Sequence, residues 1–395
     1  GQGGVRFGSG LHVARTLPLA VVGVLCLLCG VGPAGAQTVR GTLVEAGTDR
    51  PIPGAFVILE DPTGQAISTT LTGSAGTWLL RAPTAGTYRL RADRIGYASV
   101  LSDSVVLRRG ESVSYRFTLD VAPIGLTELA VEGADGQCEL LAEEGLAVYR
   151  VWEEARKALA AIVWTGQQPY YRFDAVHYQR RLDADGVPAG PAEYEEVRYF
   201  GRHPFRSIPT RDLLLGGFVQ SVAGAVQYYG PDAEVMLSTD FLRRHCFQLV
   251  ETEDSDLIGL EFEPVDEARV IDIAGIMWLD PANSELRRLD FRYENLDLSV
   301  DTRRLGGTVE FTRLPSGAWI VQHWAIRVPI IEQAPPRSSG GRALPARRLL
   351  TGIDEGGGQV TAVFLTSRLL GYASTDTLPV RPPPDSLIVR YPIRH

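Results

Sequence analysis

The sequence predicts a mainly β protein: an N-terminal, seven-stranded, Greek-key-like sandwich, one connecting helix, and then a larger antiparallel sheet, with a half-barrel as one form of that sheet. Three observations favour this fold class. Short runs of alternating apolar residues are separated by turns rich in Gly, Pro and Asp. The chain holds 42 Gly and 25 Pro, and a helical period dominates one segment only. With 395 residues, 45% of them hydrophobic, there is enough material for two or three domains with cores.

The first 36 residues predict an export signal. Arg6 and Arg15 precede an uncharged apolar run, and Ala34-Gly35-Ala36 has the form of an A-x-A cleavage site. A retained membrane anchor is the alternative, since a single span needs about 20 apolar residues, but Pro33 next to the cleavage site favours removal. We therefore expect an exported protein, in the periplasm or associated with the outer membrane.

Residues 37–133 predict the sandwich. In "YRFTL", Tyr115, Phe117 and Leu119 would face inward while the residues between them face water. About seven such short strands separated by turns are typical of a small sandwich. The strand-like segments are VRGTLVEA, AFVILED, AISTTLT, GTWLLRA, GTYRLRADRIGY, SVVLRRG and SVSYRFTLDV.

The glycines, prolines and aromatic residues of this region follow a characteristic order. The motif residues are Gly41, Pro51, Pro53, Gly54, Gly76, Gly86, Tyr88, Gly96 and Tyr97. Glycine allows tight or positive-φ turns, proline fixes φ at the start of a strand, and aromatic rings fill a thin core. Trp78, Tyr88 and Tyr97 could line a sugar site, but we expect them in the core.

This order resembles the carboxypeptidase regulatory-like domain, a transthyretin-like or carbohydrate-binding-like sandwich that also occurs at the N-termini of TonB-dependent receptors. The resemblance implies a module that is not itself catalytic. Residues 124–133 are similar to the short segment that follows this module in those receptors. The 262 residues after Gly133 lack the regular outward apolar band that a receptor barrel requires, so we expect only a shared linker strand.

Residues 134–168 predict a linker and the connecting helix. Leu146, Tyr149, Trp152, Ala155, Leu159 and Ile162 recur at three- and four-residue spacing. We expect this stripe to pack on the neighbouring sheet, with Glu153, Glu154, Arg156 and Lys157 off that face.

Residues 169–375 predict an antiparallel β domain, and residues 376–395 a Pro-rich, extended C-terminal tail. Residues 306–331 have the form of a hairpin, with "LPSG" as its turn. The segment "GIMWLDPANSELRRLDFRY" resembles one strand pair of lipoprotein-carrier-like sheets, which are open half-barrels wrapped on a helix. That resemblance implies only an architecture. A carrier of a lipid or another apolar ligand, with the sheet curled around an acyl chain, is a separate alternative function.

The composition and motifs argue against several classes of function. A net charge of −8 does not suit a nucleic-acid binder, which presents a basic face. The histidines after residue 36 form no H-x-x-H or H-E-x-x-H pattern, and neither G-x-S-x-G nor a Walker-type phosphate loop occurs. We therefore expect no cofactor, no metal and no catalytic residue.

Cys138 and Cys246 are the two cysteines that follow the predicted signal. In an oxidising compartment they predict one disulfide. The alternatives are two buried free thiols, or a thiol enzyme in which His245 activates Cys246. Adjacent residues of a strand point to opposite faces, which disfavours the enzyme.

The expected function is that of a non-enzymatic envelope protein, which binds or scaffolds through the sandwich. Its partner would be an envelope protein or a glycan, with membrane contact at most peripheral. The alternatives are the periplasmic carrier and a hydrolase or thiol enzyme that uses Cys246 and His245.

Overall fold

The structure, a computed structural model, describes residues 37–122, 124, 142–222, 225–251, 256–265, 270–296, 304–334, 338–339, 342–343, 347–367 and 372–378. The protein is mainly β, with 55% strand and 14% helix, and a sandwich precedes a larger sheet. The predicted fold class is confirmed. The predicted signal, residues 1–36, lies outside the described residues, and the domain boundaries stay predictions.

The N-terminal sandwich has eight strands, one more than predicted, because the segment after Tyr97 forms two short strands. The strands are β1 (Gln37–Glu45), β2 (Phe56–Glu60), β3 (Ala66–Leu71), β4 (Thr77–Ala82), β5 (Gly86–Asp93), β6 (Val100–Leu101), β7 (Val105–Leu107) and β8 (Ser112–Leu119). One sheet has the order β4-β1-β8, and the other has the order β3-β2-β5-β6 with β7 also paired to β5. β1 pairs with β8 in parallel and with β4 in the antiparallel sense.

The alternation of side chains that predicted these strands also builds the sandwich core. Trp78 and Leu80 of β4 are buried, while the residues between them are exposed. Phe117 and Leu119 of β8 are buried as predicted, and Tyr115 packs against them as a partly buried neighbour. Successive residues of a strand point to opposite faces of the sheet. Apolar side chains at every second position are therefore enough to cover the face that is buried.

The connecting helix α1 (Ala142–Gly166) packs on the larger sheet, as its apolar period predicted. Ala155, Leu159 and Ile162 are buried. The prediction was wrong at the N-terminal end of the stripe, where Leu146 is 54% and Tyr149 58% exposed. Among the described helices, none is long and apolar enough to cross a membrane.

The larger domain is built on a ten-stranded sheet. Its path is β10-β9-β21-β18-β17-β16-β15-β14-β13, and β22 also pairs with β21. The strands are β9 (Tyr171–Leu182), β10 (Glu193–Phe200), β13 (His245–Glu251), β14 (Ile258–Pro264), β15 (Asp272–Asp280), β16 (Glu285–Glu294), β17 (Gly306–Arg313), β18 (Trp319–Ala334), β21 (Arg347–Ser367) and β22 (Tyr372–Thr377). Two separate pairs are β11 (Val219–Val222) with β12 (Ala225–Tyr228), and β19 (Ser338–Ser339) with β20 (Arg342–Ala343). The predicted hairpin corresponds to β17 and β18, and every pair in the large sheet is antiparallel.

Three short helices interrupt the strands of the region predicted as an antiparallel β domain: α2 (Thr210–Gly216), α3 (Ala233–Leu237) and α4 (Thr239–Arg244). Polar caps start two of them. Asp232 accepts a hydrogen bond from the Val235 amide, and Ser238 accepts one from the Phe241 amide. "FLRRHCFQLVE" is therefore helical up to Arg244, and its strand begins at His245.

Candidate functional site

A few residues of the sandwich pack into the hydrophobic core of the larger domain, in addition to the sandwich's own core. Phe56 and Ile58 of β2, together with Ile95, belong to the same buried cluster as α1 and the large sheet. Phe56 contacts Trp164 of α1 edge to face, with ring centroids 5.7 Å apart. The two domains therefore meet through a packed apolar interface that includes α1.

Lys157, the one lysine of the sequence, lies in this interface. Its Nζ donates to Glu154 Oε1 at 2.6 Å, to the Tyr97 carbonyl at 2.9 Å and to the Arg94 carbonyl at 3.4 Å. The prediction that Glu154 and Lys157 lie off the buried face was wrong, since both are 7% exposed. They are buried because the sandwich covers them, and a buried charge requires such partners.

Glu154 binds the turn of the sandwich that carries the motif residues Gly96 and Tyr97. The Gly96 amide donates to Glu154 Oε2 at 2.8 Å. Burial raises the pKa of Glu154 above its ordinary value of 4.5, against the opposing effect of Lys157. Tyr97 is partly buried and donates its hydroxyl to Glu45 at 2.9 Å, so its ring is structural, as expected.

Another motif glycine, Gly54, also touches the larger domain. Its backbone has φ +66° and lies against Gly317, in the turn between β17 and β18. A Cβ on Gly54 would lie 2.6 Å from the Gly317 Cα. Pro53 directly precedes Gly54 in the sequence, and Pro51 forms an isolated β-bridge with Val44.

The remaining motif residues lie within the sandwich. A Cβ on Gly41 would lie 1.8 Å from the Tyr115 carbonyl oxygen, and Gly76 has φ +68°. Gly86 begins β5 beside the ring of Tyr88, which is 6% exposed and donates its hydroxyl to the Thr84 carbonyl. These four positions have packing or backbone roles within the sandwich.

His245 and Cys246 begin β13 at one edge of the large sheet. The His245 ring is 4% exposed and stacks on Phe241 at 3.9 Å. Its Nδ1 lies 2.9 Å from the Phe241 carbonyl oxygen, and its Nε2 lies 3.1 Å from that of Ile273. With both nitrogens engaged by the backbone, this imidazole is not placed to activate a neighbouring thiol.

Cys246 is partly buried at the start of β13. Cys138 lies outside the described residues, so its pairing with Cys246 stays a prediction. We predict that non-reducing peptide mapping of envelope-extracted protein recovers one peptide that links the two cysteines, because they are the only pair after the predicted signal. A reduced and alkylated sample is the control, and alkylation of both thiols in untreated protein would contradict the pairing.

An open cleft of about 380 Å³ lies at the other end of the large sheet. Two rows of paired residues cross β18, β21, β9 and β10 there. One row is Trp324, Gly358, His177 and Glu195, and the next is Ile326, Gly356, Gln179 and Glu193. Directly paired residues share a face of a sheet, so these side chains lie on one side. Trp324 belongs to the same buried core as α1. The cleft therefore lies on the face of the sheet that α1 covers at other positions.

Glycines of β21 shape the floor of this cleft. A Cβ on Gly358 would lie 2.4 Å from the Trp324 ring, so this glycine lets the indole lie across the strand. Gly356 differs, because no described atom lies within 4 Å of an added Cβ, and its φ is not in the left-handed region. The space over Gly356 is therefore open, and the backbone does not require glycine there.

His177 forms the inner wall. Its Nε2 lies 2.8 Å from the Tyr199 hydroxyl, and its ring meets Trp324 edge to face at 5.4 Å. Burial lowers the pKa of His177, against an opposing effect of Glu195, so the ring is neutral at pH 7. Burial likewise raises the pKa of Tyr199, which stays protonated.

The cleft offers hydrogen-bonding groups and aromatic contact surface. Its side chains offer two carboxylates, an amide, a neutral imidazole and aromatic surface, and its volume falls in the range of small-molecule sites. Among the described residues, no group of three or more His, Cys, Asp or Glu could hold a metal ion. Sequence reasoning missed this site. Its one available signal was Gly356-Gly357-Gly358, three glycines inside a strand pattern, which indicates a close approach by a neighbouring group.

Comparison with solved structures finds likenesses at low TM-scores. The pilus 2b backbone protein of group B streptococcus aligns at 16% identity over 22% of this chain and 41% of its own, with a TM-score of 0.19. The minor pilin GBS52 of Streptococcus agalactiae aligns at 15% identity over 26% and 48%, with a TM-score of 0.20. A cohesin–X-dockerin complex of Acetivibrio cellulolyticus gives 17% identity over 29% and 72%, with a TM-score of 0.19. Likeness at these scores carries no functional information.

Comparison with curated proteins finds no match. The model of the carboxypeptidase regulatory-like domain family matches residues 38–120. The match covers the eight-stranded sandwich and its motif residues, in agreement with the order of glycines, prolines and aromatic residues in the sequence. Residues 38–120 thus form a carboxypeptidase regulatory-like domain, and a further, mainly β region follows it.

Proposed function

We propose that this chain is an exported, non-enzymatic binding protein of a bacterial envelope, in which the cleft on the large sheet receives the ligand or a group of a partner. The observation that carries the proposal is the open space over Gly356, enclosed by polar and aromatic side chains. Nothing in the local backbone explains a glycine at that position, whereas a bound group would. The sandwich then serves as a scaffold, locked to α1 through Glu154 and Lys157.

The alternatives proposed from the sequence gain no specific support. A thiol enzyme would need His245 free to act on Cys246, but both ring nitrogens lie against backbone carbonyls. A lipid carrier would hold its acyl chain on the side of the sheet that α1 covers. There, Val235 and Met236 of α3 are fully buried within the same core as α1.

Photo-crosslinking in cells tests the proposal. A photoreactive residue at Gln179, which lines the cleft, is expected to give a discrete adduct, and Gly356→Leu in the same chain is expected to abolish it. The same photoreactive residue at Val106, which is 60% exposed on the sandwich, is the control for nonspecific capture. An adduct that Gly356→Leu leaves unchanged, or the same adduct from both positions, would refute binding at the cleft.

A further inference from the structure

We propose that the cleft binds a small organic cation, a protonated amine or guanidinium with an apolar body; this deepens the proposed function and depends on it. The first step of the argument is charge. Glu193 and Glu195 are two residues apart on β10, so both carboxylates lie on the cleft side of the sheet. Two like charges side by side repel each other, and a bound cation relieves that repulsion.

The second step is the absence of a compensating charge in the lining. Although the chain has 39 Lys and Arg residues, none of the described residues that line the cleft is basic. His177 does not supply a charge, since burial lowers its pKa. The nearest row beyond the cleft holds Arg181, which is paired with Asp354 at 3.4 Å and so contributes no net charge.

Three further cations lie near the cleft among the described residues. Arg180 and Arg327 both pair with Glu355 and are close enough to act on Tyr178. Arg180 directly follows Gln179 in β9, so it lies on the opposite face of the sheet.

The third cation is Arg202. Its guanidinium lies 5.7 Å from the centre of the Tyr199 ring, behind the hydroxyl that meets His177, and it is not part of the lining. Among the described lining residues, the two glutamates therefore carry the only full charges on the cleft side of the sheet. An anionic ligand is disfavoured by this field.

The third step is the apolar contact. Trp324 and His177 meet edge to face and form the inner wall, so a ligand that reaches the floor at Gly356 lies beside aromatic rings. Aromatic rings attract cations through their quadrupole and also accept an apolar body.

The test is an NMR titration of the full mature chain that follows the indole N–H resonance of Trp324, assigned with Trp324→Phe. Phenethylamine and 2-phenylethanol are matched probes, since they share a skeleton and differ in charge. We expect a saturable shift with the amine at about tenfold lower concentration than with the alcohol, from the combined effect of two carboxylates and the aromatic wall.

Three variants make the result specific. Gly356→Leu fills the floor and is expected to abolish the shift. Gly145→Leu, in α1, meets equally open space and is the matched control that is expected to retain it. The double variant E193Q/E195Q keeps the shape of the cleft and is expected to weaken amine binding about tenfold, while binding of the alcohol stays unchanged.

The outcomes separate this inference from the proposed function. Equal binding of both probes, or a shift with N-acetylglucosamine that Gly356→Leu removes, would overturn the cation and leave a binding cleft in place. Amine binding that survives E193Q/E195Q would overturn the role of the carboxylates. No shift with any probe would overturn the cation as ligand, whereas the proposed function falls only when the crosslinked adduct also fails to depend on Gly356.

Discussion

Replacing Lys157 with Met is expected to lower the free energy of unfolding by about 3–5 kcal/mol, the cost of leaving one member of a buried ion pair without its partner. The Lys157 ammonium is enclosed by the Glu154 carboxylate and two carbonyl oxygens of the sandwich turn. Methionine fills a similar volume but donates no hydrogen bond. The Glu154 carboxylate would then remain buried at the domain interface, where the Gly96 amide donates to it.

The neighbouring pair on the same helix is the matched control. Arg156 and Glu153 have the same i, i+3 spacing, but their side chains are 30% and 27% exposed. Arg156→Met is therefore expected to cost less than about 1 kcal/mol. Urea unfolding of both variants at pH 7 measures the difference, and equal losses would show that the Lys157 contact does not hold the two domains together.

The loss of unfolding free energy caused by Lys157→Met is also expected to depend on pH. Burial already raises the pKa of Glu154 in the folded protein, and the loss of Lys157 removes a charge that opposes this rise. A carboxyl group whose folded pKa is raised stabilises the fold below its unfolded pKa, and this contribution is lost as the pH rises through the folded pKa. The deficit should thus be largest near pH 7 and shrink as Glu154 becomes protonated at acidic pH. A deficit that grows on acidification would contradict this account.

The sandwich could be predicted from the sequence because its signals are local. A period of two places Trp78, Leu80, Phe117 and Leu119 in the core, and glycines mark the turns between strands. Such patterns depend on residues close together in the chain. These local patterns predict the strands and their buried faces. The family resemblance predicts how the strands are arranged in the sandwich.

The helix interface could be predicted only in part, since its outcome depends on distant residues. The apolar period correctly buried Leu159 and Ile162, but it placed Lys157 in water. That side chain is buried by carbonyl groups some 60 positions earlier in the chain. No helical period contains this information, because a charged residue reads as exposed unless its partner is known.

The cleft could not be predicted because it depends on strand register. Trp324, Gly356, His177 and Glu193 come from four strands, and they meet only through the pairings of β21 with β18 and β9, and of β9 with β10. A shift of one residue in any of these pairings would move its side chains to the opposite face. The three glycines at 356–358 could indicate a close approach, but they could not name the side chains that approach.

Gly54→Ala is expected to destabilise the folded chain by about 2–5 kcal/mol. Two costs add: about 1–2 kcal/mol for a side chain in the left-handed region of backbone space, and about 1–3 kcal/mol for overpacking. The second cost arises because an added Cβ would lie 2.6 Å from the Gly317 Cα and 2.8 Å from the Gly317 carbonyl oxygen. Both atoms belong to backbone, which cannot rotate away as a side chain can. Urea unfolding of the full chain measures the loss.

Gly47→Ala separates the two costs, because Gly47 has φ +75° but no described atom within 4 Å of an added Cβ. It is expected to show the backbone cost alone. If Gly54→Ala costs no more than Gly47→Ala, the contact between the two glycines is not tight. A double variant, Gly54→Ala with Gly317→Ala, is expected to cost less than the sum of the single losses, because either methyl group already forces the same two turns apart. Strict additivity would mean that the two glycines act independently, and that the turn of the regulatory-like domain does not rest on the hairpin of the large sheet.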